Sequence, residues 1–185
     1  MKIKPQVFII DVDGVMTDGA FYYTAEGKMI KRFGSDDHDG ISLLEPHMEV
    51  RFVTGDHRGL KISEARIVKD MKMKLDLVST TQRLEWIKTH YIASDVIYMG
   101  DGIFDHYVMR EVGYAIAPAN ADARAKAAAQ FVTERRGGDR AVAEAALHIL
   151  EKFFTAYDPL KPLDAGIAYS GSWQGQGQGA RKKKA

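Results

Sequence analysis

Residues 7–19 of the chain read Val7-Phe8-Ile9-Ile10-Asp11-Val12-Asp13-Gly14-Val15-Met16-Thr17-Asp18-Gly19. The four apolar residues at the start are typical of a strand buried on both faces, and this strand leads directly into two carboxylates. Carboxylates at the edge of a core are costly unless a cation, hydrogen-bond donors or a proton accompany them. Gly14 permits a sharp turn around a small ligand. The stretch therefore predicts a binding site at Asp11 and Asp13.

The composition is typical of a single globular domain, with 185 residues of which 45% are hydrophobic and 28% charged. The 26 Lys and Arg and the 25 Asp and Glu give a formal charge of +1, so no overall field favours nucleic acid or membranes. The lack of cysteine excludes disulfides, thiolate catalysis and cysteine-based metal sites. Because no apolar run resembles a signal peptide or a membrane span, we expect a cytoplasmic protein without nucleic-acid or membrane partners.

Short apolar runs alternate with helical patterns along the chain. Residues 50–53, 75–78, 96–99 and 114–117 have the character of strands, and helical patterns separate them. This order predicts an α/β fold, a three-layer doubly wound parallel sheet with helices on both faces. In such sheets the ligand crevice lies beyond the carboxyl ends of the strands. Three polar strand ends should meet there: Asp11 with Asp13, Thr54 with Gly55, and Asp101 with Asp105.

Two further segments accompany this predicted core. Aromatic and β-branched residues around Gly27 predict a β-hairpin over about 19–33, either a flap over the site or an edge covered by another subunit. Residues 1–156 form the predicted domain, and residues 157–185 have the Gly/Gln bias and basic end of a flexible tail. The tail is either solvated or an arm that docks on a neighbouring subunit or an acidic partner.

The residue types at the crevice favour phosphate chemistry. Oxygen ligands without cysteine, and histidines without metal-ligand spacing, favour Mg²⁺ over Ca²⁺ or Zn²⁺. With its charge offset by such a cation, Asp11 would attack phosphorus and form an aspartyl-phosphate. Asp13 would protonate the leaving alcohol and later deprotonate water. Thr54 and the amides around Gly55 would hold the transferring phosphoryl group.

Three motifs, in this order, resemble those of the haloacid dehalogenase superfamily of phosphatases. They are Asp11-Val12-Asp13-Gly14-Val15 with Thr17, then Thr54-Gly55, then Gly100-Asp101 with Asp105, and the resemblance spans about residues 7–155. The extended first motif, the hairpin, the pattern from Phe33 to Ile41, and Arg135-Arg136-Gly137-Gly138 are similar to the capless family of 3-deoxy-D-manno-octulosonate 8-phosphate phosphatases. The glycine pair is equally typical of a simple loop before a helix.

This resemblance implies a magnesium-dependent phosphatase that acts on a small sugar-acid phosphate. It implies metal ligation by the Asp11 carboxylate, the Asp13 backbone carbonyl and Asp101, with Asp105 supporting these ligands from behind. It also implies a homotetramer in which the hairpins associate and a neighbour's C-terminal segment reaches the active site.

The cations of the family pattern are altered in this chain. Where the family has Thr-Gly-Arg, Asp56 follows Gly55, which removes a cation expected near an acidic sugar, and Arg58 is a candidate substitute. The family lysine before the fourth motif has no clear match. Arg83 is nearest to its expected place, and the alternatives are Lys74 and Lys88.

The acidic pattern is altered as well, since Gly102 stands where the family has a second adjacent acid, and Asp105 takes over that part. The substrate therefore stays open between an octulosonate phosphate, a nonulosonate phosphate and another sugar phosphate. A catalytically weak protein that binds a phosphorylated ligand as a regulatory subunit is a further alternative. Because such a protein would not need an acid/base residue, the presence of both Asp11 and Asp13 favours an enzyme.

Overall fold

The computed structural model describes residues 4–163. The predicted tail begins within this range, whereas residues 164–185 with its basic run lie outside the described residues. In the described part of the chain, no helix is long and apolar enough to cross a membrane. The division into a domain and a tail at residue 156 stays a prediction.

Eight strands occur in the described residues. They are β1 Val7–Asp11, β2 Tyr22–Thr24, β3 Gly27–Ile30, β4 Glu49–Thr54, β5 Lys74–Leu77, β6 Val96–Met99, β7 Tyr114–Ala117 and β8 Phe131–Val132. All except β2 and β3 form one parallel sheet in the spatial order β5-β4-β1-β6-β7-β8. β1 therefore lies inside the sheet, between β4 and β6. The predicted doubly wound parallel sheet is confirmed.

Six α-helices connect these strands in the described residues. They are α1 Asp37–Leu44, α2 Leu60–Glu64, α3 Arg83–His90, α4 Asp105–Met109, α5 Ala123–Ala128 and α6 Ala141–Phe153. α2 continues as a wider helical segment, and a short 3₁₀ turn precedes α3. The buried Asp37 carboxylate accepts hydrogen bonds of 3.0 Å from the N–H groups of Val142 and Ala143. These donors would otherwise lack partners at the start of α6.

The side chains of β1 alternate between two hydrophobic cores. Phe8 and Ile10 pack with α1 and α6 on one face of the sheet. Val7 and Ile9 pack with α3, α4 and α5 on the other face. All four are fully buried, and Asp11 follows at the point where the strand reaches the edge of both cores.

β2 and β3 form the predicted hairpin as a separate antiparallel pair, with an irregularity between Tyr22 and Tyr23. Its strands are shorter than the predicted segment of residues 19–33. Several of its apolar side chains are at least 40% exposed: Phe21, Tyr22, Tyr23, Met29 and Ile30. Phe21 and Lys28 line the cavity at the carboxyl end of β1, so the hairpin lies beside the predicted crevice.

Candidate active site

The loop after β1 turns sharply at Gly14, whose φ of +86° is a conformation that favours glycine. The N–H of Gly14 donates a hydrogen bond of 3.1 Å to Thr17 Oγ1 and closes the turn. A Cβ added to Gly14 would overlap the carboxylate of Asp101. The turn thus lets Asp101 approach β1, while Asp11 and Asp13 line the adjoining cavity.

Three carboxylates converge at this point. Asp11 ends β1, Asp101 follows β6 and Asp105 begins α4, and one oxygen from each lies within 4.8 Å of the others. Burial raises the pKa of Asp11 to about 6, against the opposing effect of Arg83. Burial and the charges of Asp11 and Asp105 raise the pKa of Asp101 to about 8. The cluster therefore holds unfavourable negative charge that a cation would neutralise.

Asp105 supports the cluster from behind. Its Oδ1 accepts hydrogen bonds from the Tyr98 hydroxyl at 2.6 Å and from Arg83 Nη1 at 3.2 Å. Its Oδ2 accepts one from the N–H of Gly102 at 2.7 Å. Because Asp105 is almost fully buried and three donors already contact its oxygens, it is better suited to orient its neighbours than to bind an ion.

The donor set fits a hard divalent cation. Carboxylate oxygens at this spacing are the ligands that Mg²⁺ prefers, and burial with neighbouring negative charge raises the pKa values of Asp11 and Asp101, so an added cation would stabilise their ionised forms. Gly14 leaves room for Asp101 at the cluster. Asp11 and Asp101 are thus the side chains best placed to hold such an ion.

Arg83 is the cation in contact with this cluster. It is the first residue of α3, its side chain is 1% exposed, and its Nη1 lies 2.7 Å from both Asp11 Oδ2 and the Tyr98 hydroxyl. Burial lowers the pKa of Arg83, but the charge of Asp11, joined by Tyr98 and Asp105, outweighs this and holds the pKa well above its usual value. Arg83 also borders the cavity, although its side chain is almost fully buried beneath the carboxylates.

The alternative cations lie elsewhere. Lys74 pairs with Glu49 at 2.9 Å and Lys88 pairs with Glu111 at 3.2 Å, both at partly exposed positions on the surface. Of the three basic residues considered from the sequence, the structure brings Arg83 alone to Asp11.

Thr54 connects the end of β4 to Asp13. The Thr54 hydroxyl donates a hydrogen bond of 3.0 Å to Asp13 Oδ2 and accepts one of 3.1 Å from the N–H of Asp56. Thr54 is fully buried, whereas Gly55 lines the cavity. The Thr54 hydroxyl, predicted to contact a phosphoryl group, thus donates its hydrogen bond to Asp13 in this structure.

Two lysines of the hairpin segment neutralise Asp13 and Asp56. Lys31 Nζ lies 2.7 Å from Asp13 Oδ1 and 2.8 Å from Asp56 Oδ2. Lys28 Nζ lies 2.5 Å from the same Asp56 oxygen and 3.4 Å from the centre of the Phe21 ring. Burial raises the pKa of Asp56, but hydrogen bonds from both lysines outweigh this and lower it to about 2. Asp56 is therefore accommodated by cations from the hairpin.

Neither lysine is predicted by the motifs. Arg58, the candidate substitute for the missing family arginine, is exposed and is not among the residues that line the cavity. The structure therefore does not bring Arg58 into the site. Asp56 was the feature of the sequence that could have indicated these lysines. A second acid near Asp13 requires a cation, and the adjoining hairpin carries lysines.

The loop before α6 packs against the turn after β1. Asn120 bridges them, since its Nδ2 donates to Gly14 O at 2.8 Å and its Oδ1 accepts from the N–H of Gly137 at 2.6 Å. The N–H of Gly138 donates to Val15 O at 3.0 Å, and a Cβ on Gly137 would overlap the Gly14 carbonyl. The Gly137-Gly138 pair therefore fixes the active-site turn as well as preceding a helix.

The candidate site forms a cavity of about 510 Å³ at the carboxyl ends of the strands. Phe21, Ile103 and Phe104 give it a partly exposed apolar wall. A larger cavity of about 910 Å³ lies against α1 and α6, but none of the motif carboxylates lines it. The groups capable of chemistry are therefore in the smaller cavity.

The sequence is similar to those of known phosphatases. Residues 80–145 match the haloacid dehalogenase-like hydrolase family. The 3-deoxy-D-manno-octulosonate 8-phosphate phosphatase of Salmonella typhi is 32% identical over 151 residues, which cover 75% of this chain and 76% of that protein. The chain belongs to this phosphatase family. The predicted class of enzyme, a phosphoric monoester hydrolase of the haloacid dehalogenase type, is thereby confirmed.

Solved structures of the family have the same fold. The Moraxella catarrhalis phosphatase, in complex with magnesium, phosphate and a 3-deoxy-D-manno-octulosonate molecule, is 25% identical with a TM-score of 0.69, and 80% of this chain and 87% of that one are covered. The cobalt-bound phosphatase of Haemophilus influenzae is 30% identical with a TM-score of 0.68, and the match covers 81% of this chain and 90% of that one. These similarities confirm the predicted haloacid dehalogenase-like fold.

Proposed function

We propose that this protein is a magnesium-dependent phosphatase that hydrolyses a small sugar-acid phosphate of the 3-deoxy-D-manno-octulosonate 8-phosphate type. The observation that carries the proposal is the convergence of Asp11, Asp13, Asp101 and Arg83 on one cavity. Further support comes from the family relatives, whose names state this substrate, and from the Moraxella catarrhalis structure, which contains magnesium.

In this proposal Asp11 is the nucleophile and Asp13 the acid and base. The Asp11 carboxylate bonds to phosphorus as the bond from phosphorus to the sugar oxygen breaks, and Asp13 gives its proton to that oxygen. Asp13 then takes a proton from water, whose oxygen attacks phosphorus and breaks the bond to Asp11. Phosphate leaves, and both carboxyl groups return to their starting states.

The other groups of the site bind and orient. Magnesium, held by the carboxylates of Asp11 and Asp101 and the backbone carbonyl of Asp13, would supply positive charge beside the phosphate. Arg83 fixes one oxygen of Asp11 and adds a second positive charge. The amides around Gly55, which lines the cavity, would hold the phosphoryl group, and Thr54, buried and hydrogen-bonded to Asp13, would orient that acid.

Asp56 favours a second candidate substrate. The family arginine expected near the acid group of the sugar is absent, and Asp56 pairs with Lys28 and Lys31 instead. The polar groups offered to the sugar therefore differ from those of the family pattern. A nonulosonate phosphate or another sugar phosphate is accordingly the alternative.

We further propose that the protein works as a homotetramer in the cytoplasm. The exposed apolar side chains of the hairpin support association, because large exposed apolar patches usually mark interfaces.

Phosphate release from a panel of sugar phosphates, with magnesium and with EDTA, tests the proposed activity. The panel includes an octulosonate 8-phosphate, a nonulosonate 9-phosphate and neutral hexose phosphates. We expect turnover only with magnesium and at least ~100-fold loss in Asp11→Asn, since the nucleophile is removed. Equal turnover by wild type and Asp11→Asn would contradict the proposal, and binding of a substrate without turnover would identify a regulatory protein.

A further inference from the structure

We infer that Lys31 is a positioning residue, which orients the Asp13 carboxyl group for proton transfer to the leaving alcohol. The inference rests on the proposed function, because it takes Asp13 as the acid. Lys31 lies outside the three superfamily motifs, within the hairpin segment of residues 19–33. It directly follows Ile30, the last residue of β3, and so belongs to the hairpin rather than to the central sheet.

Lys31 is held in one place by the protein around it. Its side chain is 0% exposed, and three oxygens surround Nζ: Asp13 Oδ1 at 2.7 Å, Asp56 Oδ2 at 2.8 Å and Ser63 Oγ at 3.0 Å. The contact with Ser63 is a hydrogen bond, whereas those with Asp13 and Asp56 are ion pairs. Lysine is almost never fully buried unless it is paired, so the position is built around this ammonium.

The groups that hold Lys31 are fixed in turn. Asp56 Oδ1 accepts a hydrogen bond of 3.1 Å from the N–H of Gly59, and Ser63 is fully buried in α2. Lys28 makes a further contact to Asp56. Lys31 therefore connects Asp13 to the turn after β4 and to α2, both of which are parts of the main domain.

Asp13 is held from two sides as a result. Thr54 donates to Oδ2 from the end of β4, and Lys31 lies against Oδ1 from the hairpin. Among the described residues, Oδ1 is buried and has the ion pair with Lys31 but no hydrogen bond, so Lys31 keeps this oxygen turned inward while 19% of the Asp13 side chain stays exposed and Asp13 lines the cavity. Proton transfer depends steeply on such geometry, because the donor oxygen must lie within hydrogen-bond distance of the leaving oxygen.

Anchoring of the hairpin alone does not account for Lys31. Lys28 already pairs with Asp56 and lies over the Phe21 ring, which ties the hairpin to the turn after β4. Two lysines and two aspartates form the group, and once Lys28 is paired with Asp56, the two charges that remain are those of Lys31 and Asp13. The second lysine thus matches the carboxylate of the proposed acid.

The test compares two leaving groups. An alkyl sugar phosphate needs a proton on its leaving oxygen, whereas p-nitrophenyl phosphate releases a stable anion and needs little acid assistance. The quantity measured is kcat/KM, which covers the steps through departure of the leaving group. We expect Lys31→Met to lower kcat/KM by ~30-fold or more for the sugar phosphate and by only a few-fold for p-nitrophenyl phosphate.

Three variants serve as references. Asp13→Asn should show the same dependence on the leaving group, and Lys88→Met, which loses a surface ion pair, should behave as wild type on both substrates. Asp56→Asn keeps the contact of Lys31 with Asp13 but weakens its anchor, so it should show a smaller effect with the same selectivity. This variant tests the inference even if Lys31→Met does not fold.

The failures of the two proposals are distinguishable. If Asp13→Asn is selective for the sugar phosphate but Lys31→Met and Asp56→Asn lower both substrates equally or not at all, the inference is overturned and the proposed function stands. If Asp13→Asn itself leaves turnover of the sugar phosphate unchanged, the proposed acid role fails, and the inference fails with it.

Discussion

Single residues of the acidic cluster should couple folding to pH and to magnesium. The pKa of Asp101 is about 8 in the folded protein, against 3.8 for an ordinary aspartate. The unfolded chain therefore loses this proton near pH 4, and the folded protein keeps it until about pH 8. Between these values the unfolded state binds fewer protons, so stability without metal falls as pH rises. Asp11, with its pKa raised to about 6, acts in the same direction.

Calorimetry in EDTA between about pH 5 and 8 measures this effect. We expect the unfolding temperature to fall as the pH rises. Added magnesium should raise the unfolding temperature most at high pH, where the ion takes the place of the protons on the carboxylates. Asp101→Asn should flatten the profile. An unfolding temperature that rises over this pH range in wild type would contradict the raised pKa values of Asp11 and Asp101.

Loss of the buried Arg83 should cost far more stability than loss of a surface lysine. Removal of one partner from a buried ion pair costs about 3–5 kcal/mol, whereas an exposed pair contributes about 0–1 kcal/mol. Arg83→Met leaves Asp11 without its cation in the interior, while Lys88→Met removes only the surface pair with Glu111. In urea unfolding without magnesium, the free energies of unfolding of the two variants should differ by several kcal/mol. Equal losses of unfolding free energy would mean that Arg83 is not essential to the cluster.

Among the structural elements, the turn after β1 is the one that tolerates least change. Gly14 and Gly27 both have positive φ, +86° and +125°. A Cβ on Gly14 would overlap Asp101, whereas a Cβ on Gly27 meets nothing within 4 Å. Both alanine variants should carry a backbone cost of about 1–2 kcal/mol, but only Gly14→Ala should also disturb the carboxylates.

Phosphate release and magnesium titration by calorimetry distinguish these glycine variants. We expect Gly14→Ala to lose at least ~100-fold in activity and to bind magnesium weakly, since the added Cβ would displace Asp101, a proposed metal ligand. Gly27→Ala should keep both properties with a lower unfolding temperature. Similar activities in the two variants would show that the turn adapts to a side chain.

The sheet and its acids are the elements that sequence patterns describe well. The apolar runs define β1 and β6, and parallel order places their ends together, so Asp11, Asp13 and Asp101 meet as predicted. Arg83 could be selected among three cations only once the start of α3 was located. The structure brings only Arg83 of these three to Asp11, and its role as the phosphate-binding cation stays a prediction.

The hairpin is the element whose contribution the sequence does not reveal. Its strands are irregular between Tyr22 and Tyr23, and Lys31 leaves the strand after Ile30. Alternation of side chains therefore does not determine where Lys31 points. Its contact with Asp13 depends on packing between distant segments, which local patterns do not record.

For the whole molecule, the exposed hairpin should determine the state of association. Tyr22 pairs with Ile30 across the hairpin, and both side chains are more than half exposed. The double variant Tyr22→Glu/Ile30→Glu places two charges on this surface and should convert the proposed tetramer to the 20.6 kDa monomer in light scattering. Ile92→Glu, a change at a residue that is 67% exposed and lies away from the hairpin, is the control. A tetramer in both variants would place the interface elsewhere.

The alternating charges of Lys28, Asp56, Lys31 and Asp13 constrain how this lineage can change its sequence. The family arginine at position 56 would stand beside two lysines that lost their shared partner, so that single step brings three cations together. Replacement of Lys28 first would leave Asp56 with one cation and open the way. The order of substitutions is therefore not free: on a path from an ancestor with the family arginine, Asp56 should appear before or together with Lys28.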